Sequence, residues 1–226
     1  MKAGWRDLLF ASWPIEPDAA RAAVPPTMEV DIYNGSAWMT VVAMRVEKNR
    51  ARILPPIPGF DKFIELNFRV YVHVGDAYGV FFVRIQTDRL FSDVAFSLFK
   101  VNIDRASMGI VHEEGAIDFT CQPNSSKQAD SRFVAKYRPY GDAFNPEPGS
   151  LESFLYDRYC YFSDSGNGKV YRGDIAHPEW ILHKVEADIE VNTVPTAFGI
   201  QIPDVQPHLG FSWGTDTEVK IPVRQR

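Results

Sequence analysis

A mainly β domain is the fold class this sequence predicts, and three observations carry the prediction. Aromatic residues make up 13% of the chain, and large rings pack well on a pleated surface. Sixteen prolines and fifteen glycines supply the turns that a sheet protein needs. The clearest periodic segment, 63 to 74, repeats every two residues rather than every 3.6. With 226 residues, 45% hydrophobic and 23% charged, the chain can bury a proper core. No repeat, linker or low-complexity run divides it, so residues 1–226 are expected to form one domain.

In chain order, Glu16-Pro17-Asp18 ahead of an alanine-rich run predicts a short helix with proline in its first turn, ended by Pro25-Pro26. Asn34-Gly35 is a tight-turn dipeptide leading into a strand from Ala37 to Glu47. A proline-rich loop, 55 to 59, precedes the strand from Phe63 to Val74, and a turn at Gly75-Asp76 leads to a strand over Val80 to Thr87. From Asp88 to about Lys100, Leu90, Val94 and Leu98 fall on one helical stripe, which predicts the chain's main helix. Strands follow over 115 to 121 and 131 to 138, on either side of the polar loop 124 to 128. Ser150 is placed to cap a helical turn over Leu151 to Leu155. A strand from Tyr159 to Ser163 and a second over Lys169 to Ile175 form a hairpin through Asn167-Gly168, and the last third is again rich in β-formers.

A formal charge of −5, with no basic stripe, argues against nucleic acid as a partner. No stretch approaches the roughly 20 apolar residues of a membrane span, and the first residues lack the apolar run of a signal peptide, so a cytoplasmic protein is expected. Cys121 and Cys160 are too few for a disulfide framework or a zinc site and are expected as buried thiols; neither a metal nor a cofactor is expected. His112-Glu113-Glu114 lacks a second histidine at ligand spacing and reads as a solvated turn.

The chemistry-bearing residues gather in two places. Along the strand from Phe63, a period of two puts Ile64, Leu66, Phe68, Val70 and Val72 on one face and Glu65, Asn67, Arg69, Tyr71 and His73 on the other. The polar face meets either solvent, the commoner arrangement for an antiparallel sheet, or an enclosed cavity. An acid, an amide, a guanidinium and a phenol in one row are also what a small-molecule pocket needs. The second place is Glu152, Tyr156, Asp157, Arg158, Tyr159 and Tyr161, followed by His177-Pro178-Glu179-Trp180. Arg158 offers a guanidinium for a carboxylate, and His177 is either a structural strand-end histidine or a pocket acid or base.

The segments Trp5-Arg6-Asp7-Leu8-Leu9-Phe10-Ala11-Ser12-Trp13-Pro14, Pro25-Pro26-Thr27-Met28-Glu29-Val30-Asp31, Glu65-Leu66-Asn67-Phe68-Arg69-Val70-Tyr71-Val72, Gly149-Ser150-Leu151-Glu152-Ser153-Phe154-Leu155 and Arg158-Tyr159 resemble a large bacterial family of uncharacterised proteins grouped by fold with acetoacetate decarboxylase. The resemblance implies a cone-shaped, closed antiparallel β-barrel around a small pocket, with the Glu65 face turned inward. It also implies a Schiff-base lysine in a Gly-Arg-Glu…Pro-Lys-Lys type of motif. The matching stretch, Ala95 to Asn102, lacks both the Arg-Glu pair and the Pro-Lys-Lys. The catalytic position falls near Asn102, and Lys100 comes two residues early, a displacement of roughly 6 to 7 Å along a strand.

The expected function is therefore the binding of a small anionic or carbonyl-bearing metabolite by Glu65, Asn67, Arg69, Tyr71, Arg158 and His177, with Glu65 holding Arg69 in place while the pocket is empty. One alternative is a decarboxylase or aldolase with Lys100 as Schiff-base nucleophile and Glu65 as acid/base; the other is a non-catalytic structural or regulatory module. A homodimer through an uncovered sheet edge is a further expectation.

Overall fold

The computed structural model describes residues 1–50, 61–89, 98–124, 130–164, 166 and 168–225. Its first element, β1 (Lys2–Ile15), is a 14-residue strand. Sequence periodicity does not reveal it, because both of its faces are buried and its apolar residues run together without alternation. The helix α1 (Pro17–Ala23), with proline in its first turn, separates β1 from β2 (Glu29–Val30) and β3 (Ala37–Arg50). Then come β4 (Lys62–Val74), β5 (Ala77–Thr87), β6 (Ile103–Glu113), β7 (Ala116–Pro123) and β8 (Phe133–Phe144). The remainder is α2 (Leu151–Tyr156), β9 (Cys160–Asp164), β10 (Val170–Ala176), β11 (Leu182–Asn192), α3 (Val194–Ala197), β12 (His208–Val219) and β13 (Val223–Arg224).

These strands form one mainly antiparallel 13-stranded sheet, in the order β13-β10-β9-β5-β6-β7-β8-β11-β12-β1-β3-β4-β2. Additional pairings of β4 with β5 and of β10 with β12 fold the sheet back on itself in two places. The expectation of an antiparallel sheet holds for most pairings and needs correction at β5, which runs parallel to both β6 and β9. Parallel neighbours cannot be joined by a tight hairpin, and the chain leaves β5 and re-enters at β6 through a longer crossover. The main helix expected between Asp88 and Lys100 falls largely on residues 90–97, outside the described residues. Leu98, at the end of its stripe, is 43% exposed rather than packed in a core.

The curled sheet is covered on both faces, and two apolar clusters divide along the strand parity. Leu9, Ala11, Trp13, Val41, Ala43, Leu66, Phe68, Val70 and Val72 belong to one cluster. Leu8, Phe10, Val42, Met44, Phe63 and Tyr71 belong to the other. In β4 the expected alternation is therefore present: Leu66, Phe68 and Val70 enter one core, and Glu65, Asn67, Arg69 and Tyr71 point to the opposite side. A bulge where β1 meets β3, between Arg6 and Leu9, breaks the alternation of β1. Asp7 adopts a left-handed φ of 57° within it, so Trp5 and Leu8 both turn toward the second cluster.

His112, Glu113 and Glu114 are exposed at the end of β6, as the sequence predicts, and His112 lies beside the bulge. The buried Asp7 carboxylate accepts from Arg45 Nη2 at 3.0 Å and lies 3.2 Å from His112 Nε2. Cys121 and Cys160 are both free thiols and buried. Among the described residues no helix is long and apolar enough to cross a membrane.

Candidate functional site

The polar face of β4 opens on a cavity inside the curled sheet. Glu65, Asn67 and Arg69 line it from β4, Arg158 from the segment after α2, and His177 from the segment after β10. Trp5, Phe10, Phe82, Tyr156 and Trp180 supply aromatic wall, and Leu8, Val42, Met44, Val80 and Ile175 the aliphatic remainder. The cavity has a volume of about 40 Å³, and at roughly 10 to 15 Å³ for one water this is room for a few water molecules or a ligand of few heavy atoms.

The short helix α2 organises the cationic side of the cavity. Ser150 caps it, its hydroxyl accepting from the Ser153 amide at 3.1 Å, as the sequence predicts. At the other end, free carbonyls face the site. The Phe154 carbonyl accepts from Arg158 Nε at 2.6 Å, and the Tyr156 carbonyl accepts from Trp180 Nε1 at 2.7 Å. The Leu155 carbonyl accepts from both Arg69 Nη2 at 3.1 Å and the Tyr71 hydroxyl at 3.0 Å. Carbonyls left over at a helix C-terminus favour cations and donors, which is why two guanidiniums can settle there.

The two arginines differ in their partners. Arg158 forms a buried ion pair with Asp31, Nη1 to Oδ2 at 2.7 Å, and lies over the rings of Phe154 and Tyr71. Arg69 lies 5.6 Å from the Phe10 ring centroid and 5.7 Å from that of Tyr71. It has no carboxylate partner among the described residues, and its buried Nε has no hydrogen bond. Glu65 does not hold Arg69, contrary to the expectation. Four residues along a strand is roughly 13 Å, and Asn67 stands between them.

Asn67 Nδ2 instead donates to Glu65 Oε1 at 3.0 Å and leaves its own buried Oδ1 without a partner. Glu65 faces open cavity rather than packed atoms, so part of its side chain keeps accessible surface although protein surrounds its carboxyl. Burial pushes this carboxyl up from 4.5 to about 7, with the Asn67 hydrogen bond opposing the rise.

The remaining expected residues fall outside this polar centre. Tyr71 is fully buried behind the cavity wall and does not line it. Its hydroxyl gives its one proton to the Leu155 carbonyl, so it accepts from Thr40 at 2.6 Å, and Thr40 in turn accepts from Ser12 at 2.9 Å. His177 sits at the edge of the cavity, stacked on Tyr159 at 4.7 Å and tilted against Trp180 at 4.6 Å. Burial depresses its pKa, outweighing the Pro178 carbonyl 2.7 Å from Nδ1. Lys100 is not a lining residue: its amine stands 5.9 Å from the Tyr171 ring centroid. Asn102 is exposed. Sequence reasoning missed Trp5, Phe10 and Phe82 as wall residues, which only non-local pairing brings together, and it missed Asp31 as the partner of Arg158.

A curated protein of Bacillus subtilis, the uncharacterized protein YqjF, is 38% identical over 213 residues, covering 94% of this chain and 87% of its own. Solved structures with the same fold include the enduracididine biosynthesis enzyme MppR complexed with the condensation product of pyruvate and imidazole 4-carboxaldehyde. It has a TM-score of 0.69 and 11% identity, over 99% of this chain and 88% of that one. Acetoacetate decarboxylase from Legionella pneumophila gives a TM-score of 0.63 and 14% identity, over 100% of this chain and 88% of that one. At these identities the likeness is one of fold. The family model that matches residues 2–216 covers nearly the whole chain, and the protein accordingly belongs to DUF2071, a family of uncharacterized conserved proteins.

Proposed function

We propose that this protein binds a small anionic or carbonyl-bearing metabolite in its cavity, with Arg69 as the anion anchor and Glu65 as a group that exchanges protons with the ligand. The observation that carries the reading is the difference between the two arginines. A guanidinium drawn away from water favours a counter-charge, and Asp31 supplies one to Arg158, whereas among the described residues none serves the partly buried Arg69. A ligand carboxylate accepting parallel hydrogen bonds from Arg69 would complete the site. A carboxyl near 7 is half protonated at neutral pH, which suits a general acid or base. The curled sheet serves, in this reading, as the barrel wall that keeps water scarce around both groups. The fold neighbours favour small carbonyl compounds: one is named for acetoacetate, and another was solved with a condensation product of pyruvate. No lysine lines the cavity among the described residues, which favours binding and proton transfer over Schiff-base chemistry.

Thermal-shift measurements with acetate, pyruvate and acetoacetate, against acetamide as a neutral control, test the assignment. The acids should stabilise the wild type, by about 2.7 kcal/mol at one hundred times their Kd, and acetamide should not. Arg69→Lys keeps the charge but loses the planar fork, so a folded variant should lose most of that stabilisation. Equal stabilisation of both proteins, or a wild type that responds only to the neutral compound, would reject Arg69 as the anchor.

A further inference from the structure

Two guanidiniums reach one small cavity, and two free ones would make a clamp for a doubly charged anion. Asp31 prevents this. Its Oδ2 lies 2.7 Å from Arg158 Nη1, and the Phe154 carbonyl occupies Arg158 Nε. The position of Asp31 is fixed from behind, because its amide donates to the Tyr71 carbonyl at 3.0 Å, and its side chain is only 12% exposed. Beside Glu65, Asn67 and His177, the rest of the lining includes Leu8, Val42, Met44 and Ile175, which cannot replace the hydration of a second carboxylate.

We propose that Asp31 determines the charge specificity of the site: by neutralising Arg158 it restricts the cavity to ligands with a single negative charge and a short apolar remainder, and excludes dianions of the same length. The inference rests on the reading of Arg69 as the anion anchor. The neighbouring carboxyl of Glu65 adds to the exclusion, since an ionised dianion would press a second negative charge toward it.

Calorimetric titration with butyrate and succinate, matched in carbon count, separates the possibilities at pH 7.5. The wild type should bind butyrate at least about tenfold more tightly than succinate, a difference of about 1.4 kcal/mol. Asp31→Asn keeps the shape of the side chain but frees Arg158, so succinate should gain at least about tenfold and butyrate less. The double variant Asp31→Asn/Arg158→Gln removes the pair together, avoids an unpaired buried charge, and should show no succinate gain.

A wild type that binds neither acid refutes the anion-anchor reading itself. A wild type that binds succinate as tightly as butyrate leaves that reading standing and overturns the charge restriction. Succinate binding that rises equally in the double variant would mean that Arg158 is not the group Asp31 controls, which also overturns the proposal. If Asp31→Asn does not fold, the wild-type preference and the double variant still decide the matter.

Discussion

Glu65 is the residue in which the conflict between burial and charge is sharpest. Desolvation favours its neutral form, and the one hydrogen bond that would favour the carboxylate, from Asn67, offsets only part of that cost. Because its pKa is raised on folding, the folded state binds the proton more tightly than the unfolded chain between pH 4.5 and about 7. Stability contributed by this group is fully present below about 4.5, declines as pH rises through the window, and is lost above about 7. At about 1.4 kcal/mol per pKa unit, the loss is on the order of 3 kcal/mol. Glu65→Gln cannot ionise, so it should be more stable than the wild type at pH 8 and lose that advantage near pH 4. Denaturant melts of both proteins across this range check the sign, and two parallel pH profiles would refute it. The alternation of β4 made this side chain legible as a pocket candidate from sequence. Its partner was not legible, because Glu65 and Arg69 share a face yet stand too far apart to pair.

At the scale of elements, sequence patterns recovered what is local and missed what depends on a neighbour. The Ser150 cap, the turn at Asn34-Gly35 and the hairpin of β9 with β10 each rest on residues close in sequence, and each is present. The reversal at Asn34-Gly35 needs two positive φ values, which asparagine and glycine tolerate. β1 left no periodic trace because it packs on both faces, and the bulge at Asp7 has meaning only against the register of β3. The packing of α2 on β12 has the same non-local character. A Cβ at Gly210 would lie 2.6 Å from the Tyr156 hydroxyl and 2.9 Å from its Cζ, so the glycine gives the phenol its place beside Phe10. Gly210→Ala should destabilise the fold by about 1 to 3 kcal/mol, the usual cost of overpacking. Adding Tyr156→Phe removes the closest atom and should recover part of the loss, which a double-mutant cycle by chemical denaturation measures. Strictly additive effects would mean that the two residues do not press on each other.

For the whole molecule, the pairings that create the cavity join the most distant parts of the chain: Lys2 lies beside Glu218 on β12, while β4 bonds both β3 and β5. No local window of sequence records such long-range pairing, so the alternation of β4 left solvent and cavity both open, and only a resemblance spread over many segments turned its polar face inward. The likeness to acetoacetate decarboxylase-like enzymes at 11 to 14% identity is one of fold, and the chemistry of a cavity depends on the side chains that line it. Schiff-base catalysis requires an amine within bonding distance of the ligand carbonyl, with the carboxylate end held elsewhere in the site. In the proposed reading the carboxylate anchor is Arg69, and the nearest lysine in sequence to the expected catalytic position, Lys100, stands by Tyr171 outside the cavity lining. Its backbone, at a φ of 57°, interrupts the chain just before β6, so the two-residue offset from Asn102 is not a simple slide along one strand face. Incubation with pyruvate or acetoacetate followed by borohydride should therefore leave the intact mass of the protein unchanged. A reduced adduct that disappears in Lys100→Ala would restore the lysine mechanism, whereas one that persists would assign the reactive amine to a different lysine or the N-terminus.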